Sequence, residues 1–158
     1  MSGNLDEEYI DDLDASLTEQ GAIARSLGSA ELTQLNPPAP ISVRPLDSLA
    51  SVLDIMRAKN IGSVLVENDA GELIGVFTER DVLNRVACNV EDLTAVNVAT
   101  VMTRNPIVLP CSAPLAHALH LMAIYGMRHL PLIDERGKAV GIVSFRDVVH
   151  FIDRYFES

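Results

Sequence analysis

Two short segments of the chain carry the same chemistry-bearing pattern, GVFTERD at residues 75–81 and GIVSFRD at residues 141–147. In each segment a hydroxyl residue precedes an aspartate by three positions, and an arginine stands directly before the aspartate. A carboxylate only accepts hydrogen bonds, so it suits a partner that offers hydroxyl donors. A hydroxyl residue that opens a helix lies beside free backbone N–H groups, which favour an anion such as phosphate. The pattern is therefore a candidate ligand site that occurs twice.

The same residues have a structural interpretation that needs no ligand. Thr78 with Asp81, and Ser144 with Asp147, have the spacing of a capping box, although Asp is less usual than Glu at the last position of that motif. The hydroxyl would satisfy an early N–H group of the helix, and the acid would complement the helix dipole. From the residues alone capping is the simpler interpretation, but capping and ligand binding do not exclude each other.

An internal repeat accounts for the duplication of this pattern. Residues 40–86 align without a gap on residues 106–152, at a constant shift of 66 positions. The first-copy residues that meet an identical partner are Pro40, Ile41, Leu49, Ala50, Leu53, Met56, Gly71, Gly75, Arg80, Asp81 and Val82. A period of this length, present in two copies, is too long for ordinary solenoid units and indicates a duplicated small domain.

Each copy has the residue pattern of a β-α-β-β-α unit. A short extended segment is followed by apolar residues at helical spacing. These residues are Leu49, Val52, Leu53 and Met56 in the first copy and Leu115, Ala118, Leu119 and Met122 in the second. Two apolar strands then flank a turn that contains Gly71 or Gly137, and a second helix is predicted to begin near Thr78 or Ser144. One copy buries too little surface to be stable alone, so we expect an α/β (α+β) fold in which the two copies pack sheet against sheet.

The sequence divides into four parts. We expect an acidic helical arm over residues 1–36, a first repeat over 40–87, a connector over 88–105 and a second repeat over 106–156. Within the arm, Ser29 is a candidate cap for a short helix with the sequence AELTQL. The arm is expected to pack on the repeats of its own chain or on a partner subunit.

Composition and charge exclude several classes of function. The formal net charge is −10, and residues 1–40 hold eight acidic residues against one arginine. This balance argues against nucleic-acid binding, which requires a basic surface. The apolar runs are shorter than a membrane span, and the first residues lack the pattern of a signal peptide. The sequence therefore predicts a cytoplasmic protein that binds neither nucleic acid nor membranes.

The residues that could support metal chemistry or catalysis are not arranged for either. Cys88 and Cys111 have no metal-binding spacing and are expected to be free thiols. His117 and His120 lie three positions apart on a predicted helix, but without accompanying ligands they are expected to be surface or half-buried histidines. No P-loop and no nucleophile–base pair is recognisable, so we expect no enzyme activity, no metal and no required cofactor.

The repeat resembles a known family when its motifs are taken together. The duplicated signature G-h-x-[T/S]-x-x-D, the segment RHLPLID at residues 128–134 and the β-α-β-β-α order are similar to those of a tandem pair of CBS domains, also called a Bateman module. The resemblance covers about residues 40–156. Because no catalytic domain accompanies the pair, the chain is similar to the stand-alone CBS-pair proteins.

This resemblance implies ligand sites in two clefts, where the family commonly binds AMP, ADP or ATP, and sometimes S-adenosylmethionine or a dinucleotide. It implies that Asp81 and Asp147 bind the ribose hydroxyls and that Thr78 and Ser144 contact phosphate. The residues expected to complete the sites are Ile41, Ser63 and Arg80 in the first repeat and Ile107, Arg128, His129, Pro131 and Arg146 in the second. The Asp147 site ranks first because RHLPLID is close to the usual form of the family. Glu79 is expected to point outward, away from the first site.

One function is favoured over its alternatives. It is a regulatory module that senses an adenosine nucleotide and signals through its conformation or assembly. The resemblance also implies a homodimer, and the acidic arm is a candidate docking segment for a protein partner. The alternatives are an assembly module whose signatures only cap helices, a binder of S-adenosylmethionine or NAD(H), and, with the least support, an enzyme acting on nucleotides.

Overall fold

The computed structural model describes residue 21, residue 25 and residues 27–156. The predicted helical arm over residues 1–36 therefore lies largely outside the described part of the chain. Of its described residues, 27–29 are helical and Leu32–Leu35 form a 3₁₀ helix. The rest of the chain forms the mixed α/β fold that the repeat predicts, with one sheet for each repeat.

The first repeat follows the predicted β-α-β-β-α order and gains a fourth strand from the connector. Its elements are β1 (Ser42–Val43), α1 (Leu49–Lys59), β2 (Ser63–Glu67), β3 (Leu73–Thr78) and α2 (Glu79–Asp81), which continues as a π-helical turn over Val82–Val86. The connector forms a 3₁₀ helix, Val98–Thr100, and β4, Thr103–Arg104. The sheet has the order β1-β2-β3-β4, in which only β1 and β2 are parallel.

The second repeat has the same order of elements. They are β5 (Leu109–Pro110), α3 (Leu115–Tyr125), β6 (His129–Ile133), β7 (Ala139–Ser144) and α4 (Phe145–Phe156). The sheet order is β5-β6-β7, with β5 parallel to β6 and β7 antiparallel to it. Unlike α2, the helix α4 remains α-helical over its whole length.

The two hairpins have the same register, which places corresponding residues of the repeats in corresponding positions. Ser63 pairs with Thr78 in the first hairpin, and His129 pairs with Ser144 in the second. Both turns contain a glycine in the left-handed region, Gly71 at φ 74° and Gly137 at φ 77°. Such a conformation is strained for residues with a side chain, so the prediction that these glycines form the turns is confirmed.

The helices α1 and α3 bury the predicted apolar faces. Leu49, Val52 and Met56 are buried in α1, and their partners 66 positions later, Leu115, Ala118 and Met122, are buried in α3. The two remaining predicted face positions, Leu53 and Leu119, are half-buried against the same cores. Residues at this spacing fall on one side of a helix, which packs on the sheet of its own repeat.

The segments that precede the repeats cross over, so that each packs on the other repeat. The N–H group of Val98 donates to Asp47 O at 2.9 Å, and the N–H group of Leu32 donates to Ala113 O at 3.0 Å. Leu32 and Val98 are 66 positions apart, and both are fully buried. The duplication therefore extends upstream of residues 40 and 106, and each repeat is completed by a segment from elsewhere in the chain.

The prediction that Ser29 caps a short helix is wrong. The 3₁₀ helix begins at Leu32 after Glu31, which makes no side-chain cap, and Ser29 Oγ donates to Arg25 O at 2.9 Å. Ser29 is itself helical, so its hydroxyl bonds back to the carbonyl four residues earlier instead of reaching forward.

The two sheets pack against each other through the faces that do not carry helices. Val64 and Val66 of β2 lie in the first core, and Leu130 and Leu132 of β6 lie in the second. Leu65, between the two valines, is also fully buried but belongs to neither core. Since successive strand residues point to opposite faces, Leu65 lies on the face that is turned to the other repeat.

Candidate ligand-binding sites

The second signature lies at the junction between β7 and α4. Ser144 donates to Asp147 Oδ2 twice, from its N–H group at 2.6 Å and from its hydroxyl at 2.7 Å, and the Asp147 N–H group donates to Ser144 Oγ at 3.2 Å. This is the reciprocal geometry of a capping box, so the capping interpretation is confirmed for this repeat. The two hydrogen bonds that Ser144 donates to Asp147 reach the same carboxylate oxygen, Oδ2. Among the residues that the structure describes, no hydrogen bond reaches the other oxygen, Oδ1.

The first signature contains the same capping box but uses its carboxylate more fully. The Thr78 N–H group and hydroxyl donate to Asp81 Oδ2 at 3.0 and 3.1 Å. Asp81 Oδ1 accepts a hydrogen bond from the Thr103 hydroxyl at 3.2 Å and lies 3.6 Å from Arg85 Nη1. Asp81 is 7% exposed. Both oxygens of this carboxylate are therefore engaged within the protein.

Arg85 connects the first signature to the segment of the connector that crosses to the first repeat, residues 98–104, which we call the crossing segment. Its Nη1 donates to the carbonyl oxygens of Val101 at 2.9 Å and Met102 at 2.7 Å, in addition to facing Asp81. Arg85 lies in the π-helical turn, which is closed by a bond from the Ala87 N–H group to Val82 O at 2.7 Å. A π turn is wider than an α turn, and such turns occur frequently at functional sites.

The second repeat has neither of these additional partners. At the position that corresponds to Arg85 it has Phe151, which is buried in the second core. At the position that corresponds to Thr103 it has Pro37, which offers no donor. Pro37 lies against Gly141 of β7, just as Met102 lies against Gly75 of β3, so the two crossing segments occupy equivalent places.

A groove of about 410 Å³ opens beside Asp147. Its lining consists of Leu35 from the 3₁₀ helix and Asp147, His150, Asp153 and Arg154 from α4. The volume falls within the range of small-molecule sites. His150, Asp153 and Arg154 lie outside the signature and were not predicted, although their spacing from Asp147 places them on one face of a helix and is a signal that could have found them.

His129 lies at the contact between the two repeats. A β-carbon added to Gly62 would lie 3.2 Å from the His129 imidazole and 3.2 Å from Glu79 Oε2, so these two groups are at most twice that distance apart. Burial lowers the pKa of His129, and the positive charge of Arg128 lowers it further, while the negative charges of Glu79 and Asp147 oppose the shift. The imidazole is therefore predominantly neutral at pH 7.

Glu79 is exposed, as expected, and its carboxylate is turned toward the second repeat. The carboxylate lies over Gly62 and acts on the half-buried imidazole of His129. Gly62 has no side chain, and this absence leaves room for the carboxylate beside the other repeat.

The helix starts are less open to an anion than the sequence suggests. The N–H group of Glu79 donates to Gly62 O at 3.0 Å, and that of Phe145 donates to Arg128 O at 2.8 Å. The third N–H group of each helix is used by the capping hydroxyl. A phosphate at either helix start would therefore have to rely largely on side chains or on a rearranged cap.

The remaining candidate residues are distributed over the hairpins, the segments before β1 and β5, and the helix starts. Ser63 is buried opposite Thr78, Pro131 is buried on β6, and Ile41 and Ile107 are half-buried against the first and second cores. Arg146 and Arg128 are exposed beside the start of α4. The Arg80 guanidinium donates to the carbonyl of Gly126, which ends α3, and so connects the two repeats.

Metal clusters and membrane-spanning helices are absent from the described residues. Within them, no group of three or more His, Cys, Asp or Glu residues is arranged to hold a metal ion. Over the same residues, no helix has both the length and the apolar character needed to cross a membrane. Cys88 and Cys111 are free thiols, as predicted, and burial raises the pKa of Cys111 together with the charge of Asp134.

Comparison with known proteins shows where this architecture occurs. The CBS domain profile matches residues 34–88 and 98–154. An uncharacterized protein of Methanopyrus kandleri is 31% identical over 109 residues, which are 69% of this chain and 56% of that protein. The chain thus matches little more than half the length of this relative.

Solved structures have the same fold. A protein from Pyrococcus horikoshii superimposes with a TM-score of 0.72 at 29% identity, over 78% of this chain and 92% of that one. The CBSX2 protein in complex with AMP has a TM-score of 0.63 at 27% identity, over 73% of this chain and 89% of that one. With both repeats matched by the family profile, the chain belongs to the CBS domain family and contains a tandem pair of these domains.

Proposed function

We propose that the chain is a regulatory module that binds an adenosine nucleotide beside Asp147. The observation that carries this proposal is the Asp147 carboxylate, which has one oxygen without a described hydrogen bond and lines a groove of about 410 Å³. The related CBSX2 structure contains AMP, so AMP is the first ligand to test. ADP and ATP share the adenosine group and are tested with it.

The chemistry of the surrounding residues supports this ligand class. Asp147 Oδ1 is an acceptor for a ribose hydroxyl, and the neutral His129 imidazole can both donate and accept a hydrogen bond. Ile107 is half-buried and offers apolar surface to a base, whereas Pro131 is buried, and neither residue lines the groove beside Asp147. The guanidinium groups of Arg128 and Arg146 supply positive charge for a phosphate, which the acidic chain as a whole would otherwise repel.

Signalling requires that the ligand bind one arrangement of the repeats more tightly than another. Two contacts are candidates for this coupling because they cross between the repeats, from Arg80 to Gly126 and from Glu79 toward His129. His129 belongs to the proposed site, whereas Arg80 and Glu79 belong to the first repeat. A ligand that moves His129 would therefore alter how the repeats pack.

We propose that the module acts as a homodimer. Leu83 is 73% exposed in the π-helical turn, and its counterpart 66 positions later, Val149, is 43% exposed on α4. Phe145 adds a third exposed apolar side chain at the start of α4. Exposed apolar groups at corresponding places on both repeats are suited to a self-complementary interface.

The proposed module is non-catalytic. Its cytoplasmic location and a protein partner for residues 1–36 stay predictions.

A second candidate function is that of an assembly module without a nucleotide. It is favoured by the two capping boxes, because both signatures have a structural role that needs no ligand. In this case the Asp147 groove would remain empty at millimolar nucleotide. S-adenosylmethionine and NADH are further ligands of the same class to compare.

Calorimetry and thermal unfolding of the purified chain test the proposal. AMP, ADP, ATP, S-adenosylmethionine and NADH are titrated separately, and a ligand at 100 times its Kd stabilises the fold by about 2.7 kcal/mol. Asp147→Asn is expected to weaken binding by about tenfold to a hundredfold, since it removes hydrogen bonds to a charged group. Asp54→Asn, an exposed change on α1, serves as the control. Failure of all five compounds to bind at millimolar concentration contradicts the proposal and favours the assembly module.

A further inference from the structure

We propose that the two signatures form unequal sites, in which Arg85 and Thr103 close the first repeat and leave one nucleotide site per chain at Asp147. This inference rests on the proposed function, because it concerns which of the two repeats takes the ligand. It departs from the sequence, which presents Thr78 and Asp81 as a second copy of the same site.

Asp81 and Asp147 differ in the hydrogen bonds that their carboxylates already accept within the protein. Each aspartate uses Oδ2 for its capping box. The oxygen that remains for a ligand is therefore Oδ1 in both repeats. Asp81 Oδ1 already has the Thr103 hydroxyl at 3.2 Å and Arg85 Nη1 at 3.6 Å. A diol that approached Asp81 would have to displace both donors from a carboxylate that is almost fully buried.

The two aspartates also differ in the open space beside them. In the second repeat, Asp147 and Leu35 lie on the same open groove. The residue that corresponds to Leu35 in the first repeat is Val101, and its carbonyl oxygen accepts a hydrogen bond from Arg85 Nη1. The Arg85 side chain therefore spans the gap between signature and crossing segment that stays open in the second repeat.

The repeats differ at this point because their last helices differ and because two residues near the aspartates differ. The helix of the first repeat changes to a π-helical turn at Val82–Val86, whereas α4 continues as a regular α-helix. At the corresponding position in α4, Phe151 enters the second core and cannot pair with Asp147. Pro37 cannot replace Thr103, because its side chain has no hydrogen-bond donor. Two substitutions between the copies thus separate a closed site from an open one.

The test measures the number of AMP molecules bound per chain by calorimetry of the full chain. One site per chain is expected in the unmodified protein. Asp147→Asn is expected to weaken that site by about tenfold or more, and Asp81→Asn to leave its affinity within about twofold. Asp54→Asn, at an exposed aspartate on α1, is the control for loss of a negative charge.

The complementary test opens the first repeat. The double variant Arg85→Ala, Thr103→Val frees Asp81 Oδ1 and is expected to raise the stoichiometry from one AMP to two. If the double variant folds and still binds one AMP, Arg85 and Thr103 are not what closes the first repeat, and the proposal is wrong.

Carboxylate NMR of the unmodified chain provides a readout that does not depend on any variant folding. Addition of AMP is expected to shift the side-chain carboxyl signal of Asp147 and to leave that of Asp81 in place. Two AMP sites in the unmodified chain, or a saturable shift of Asp81, overturn this inference while leaving the proposed function intact. Absence of binding by AMP, ADP, ATP, S-adenosylmethionine and NADH overturns both.

Discussion

Arg85 Nη1 lies 3.6 Å from Asp81 Oδ1, in an ion pair that the second repeat cannot form, because Phe151 stands at the position of Arg85. The pair holds the Asp81 carboxylate of the first signature in contact with the protein itself. It also joins the π-helical turn to the crossing segment, because the same guanidinium donates to Val101 and Met102 carbonyls. The corresponding signatures of the two repeats therefore have different surroundings.

The first prediction concerns the contribution of Arg85 to stability. Arg85→Ala is expected to lower the free energy of unfolding by about 1 to 2 kcal/mol, because it removes charge-assisted hydrogen bonds and leaves Asp81 buried without its cation. The expected loss of stability is small because the Arg85 side chain is about half exposed, so that water screens its charge. Urea unfolding measures the change, with Arg57→Ala expected to stay within about 0.5 kcal/mol. Equal effects of the two variants would show that the pair contributes nothing specific.

The second prediction concerns the capping boxes. Thr78→Ala and Ser144→Ala each remove the hydroxyl that accepts the third N–H group of a helix, so each is expected to cost about 1 kcal/mol of stability. Chemical unfolding without ligand measures the cost. Ser112→Ala changes an exposed hydroxyl residue outside both signatures and is expected to be nearly neutral. Neutral behaviour of the two signature variants would argue that the hydroxyls serve a ligand and not the helix.

The third prediction concerns the close approach of the repeats at Gly62. A β-carbon at this position would lie 3.2 Å from both Glu79 Oε2 and the His129 ring, so Gly62→Ala is expected to destabilise the protein by about 1 kcal/mol. Thermal and urea unfolding provide the measurement. Gly28→Ala is the matched control, because an added β-carbon there has no neighbour within 4 Å. If both variants are neutral, the repeats adjust at this contact without cost.

The fourth prediction concerns pH. The pKa of His129 in the folded protein is lower than its ordinary value of 6.5, so the unfolded chain binds a proton more readily than the folded one. Stability is therefore expected to be full above pH 6.5 and to fall as the pH decreases from 6.5 toward the lower pKa of the folded state. Urea unfolding at pH 7.5 and 5.5 measures the difference.

His129→Gln is expected to reduce this pH dependence, whereas His117→Gln, at an exposed position of α3, is expected to leave it unchanged. The charged groups that act on His129 in the folded state are Glu79, Asp147 and Arg128. An unchanged pH profile in His129→Gln would show that other groups cause the loss of stability.

The fifth prediction concerns assembly. Leu83→Glu and Val149→Glu place a charge in the proposed dimer interface, and each is expected to raise the dissociation constant of the dimer about tenfold or more, since an unpaired charge at an interface is costly. Sedimentation velocity over a range of concentrations measures the constant. Leu46→Glu alters another exposed leucine, in the loop after β1, and is expected to have no effect. A monomeric unmodified chain would contradict the proposed interface directly.

Much of the fold could be predicted from local pattern. The gapless repeat, the glycine turns at Gly71 and Gly137, the buried helix faces and the helix starts after Thr78 and Ser144 all depend on residues close together in sequence. The crossing of the upstream segments could not be predicted in this way. Leu32 and Val98 look like ordinary apolar residues in an arm and a connector, and only long-range packing places each on the other repeat.

The sequence by itself determined that this protein contains two copies of one β-α-β-β-α unit, each with a hydroxyl and an aspartate at the start of a helix. The spacing of the motifs, the turn residues and the apolar period are local properties, so they can be recognised from the sequence alone. Only the tertiary structure decided which aspartate has both carboxylate oxygens engaged within the protein. Arg85 and Thr103 reach Asp81 from positions 4 and 22 residues away, through a π turn and a crossing strand. Their counterparts, Phe151 and Pro37, leave Asp147 beside an open groove, because one side chain enters the core and the other has no donor.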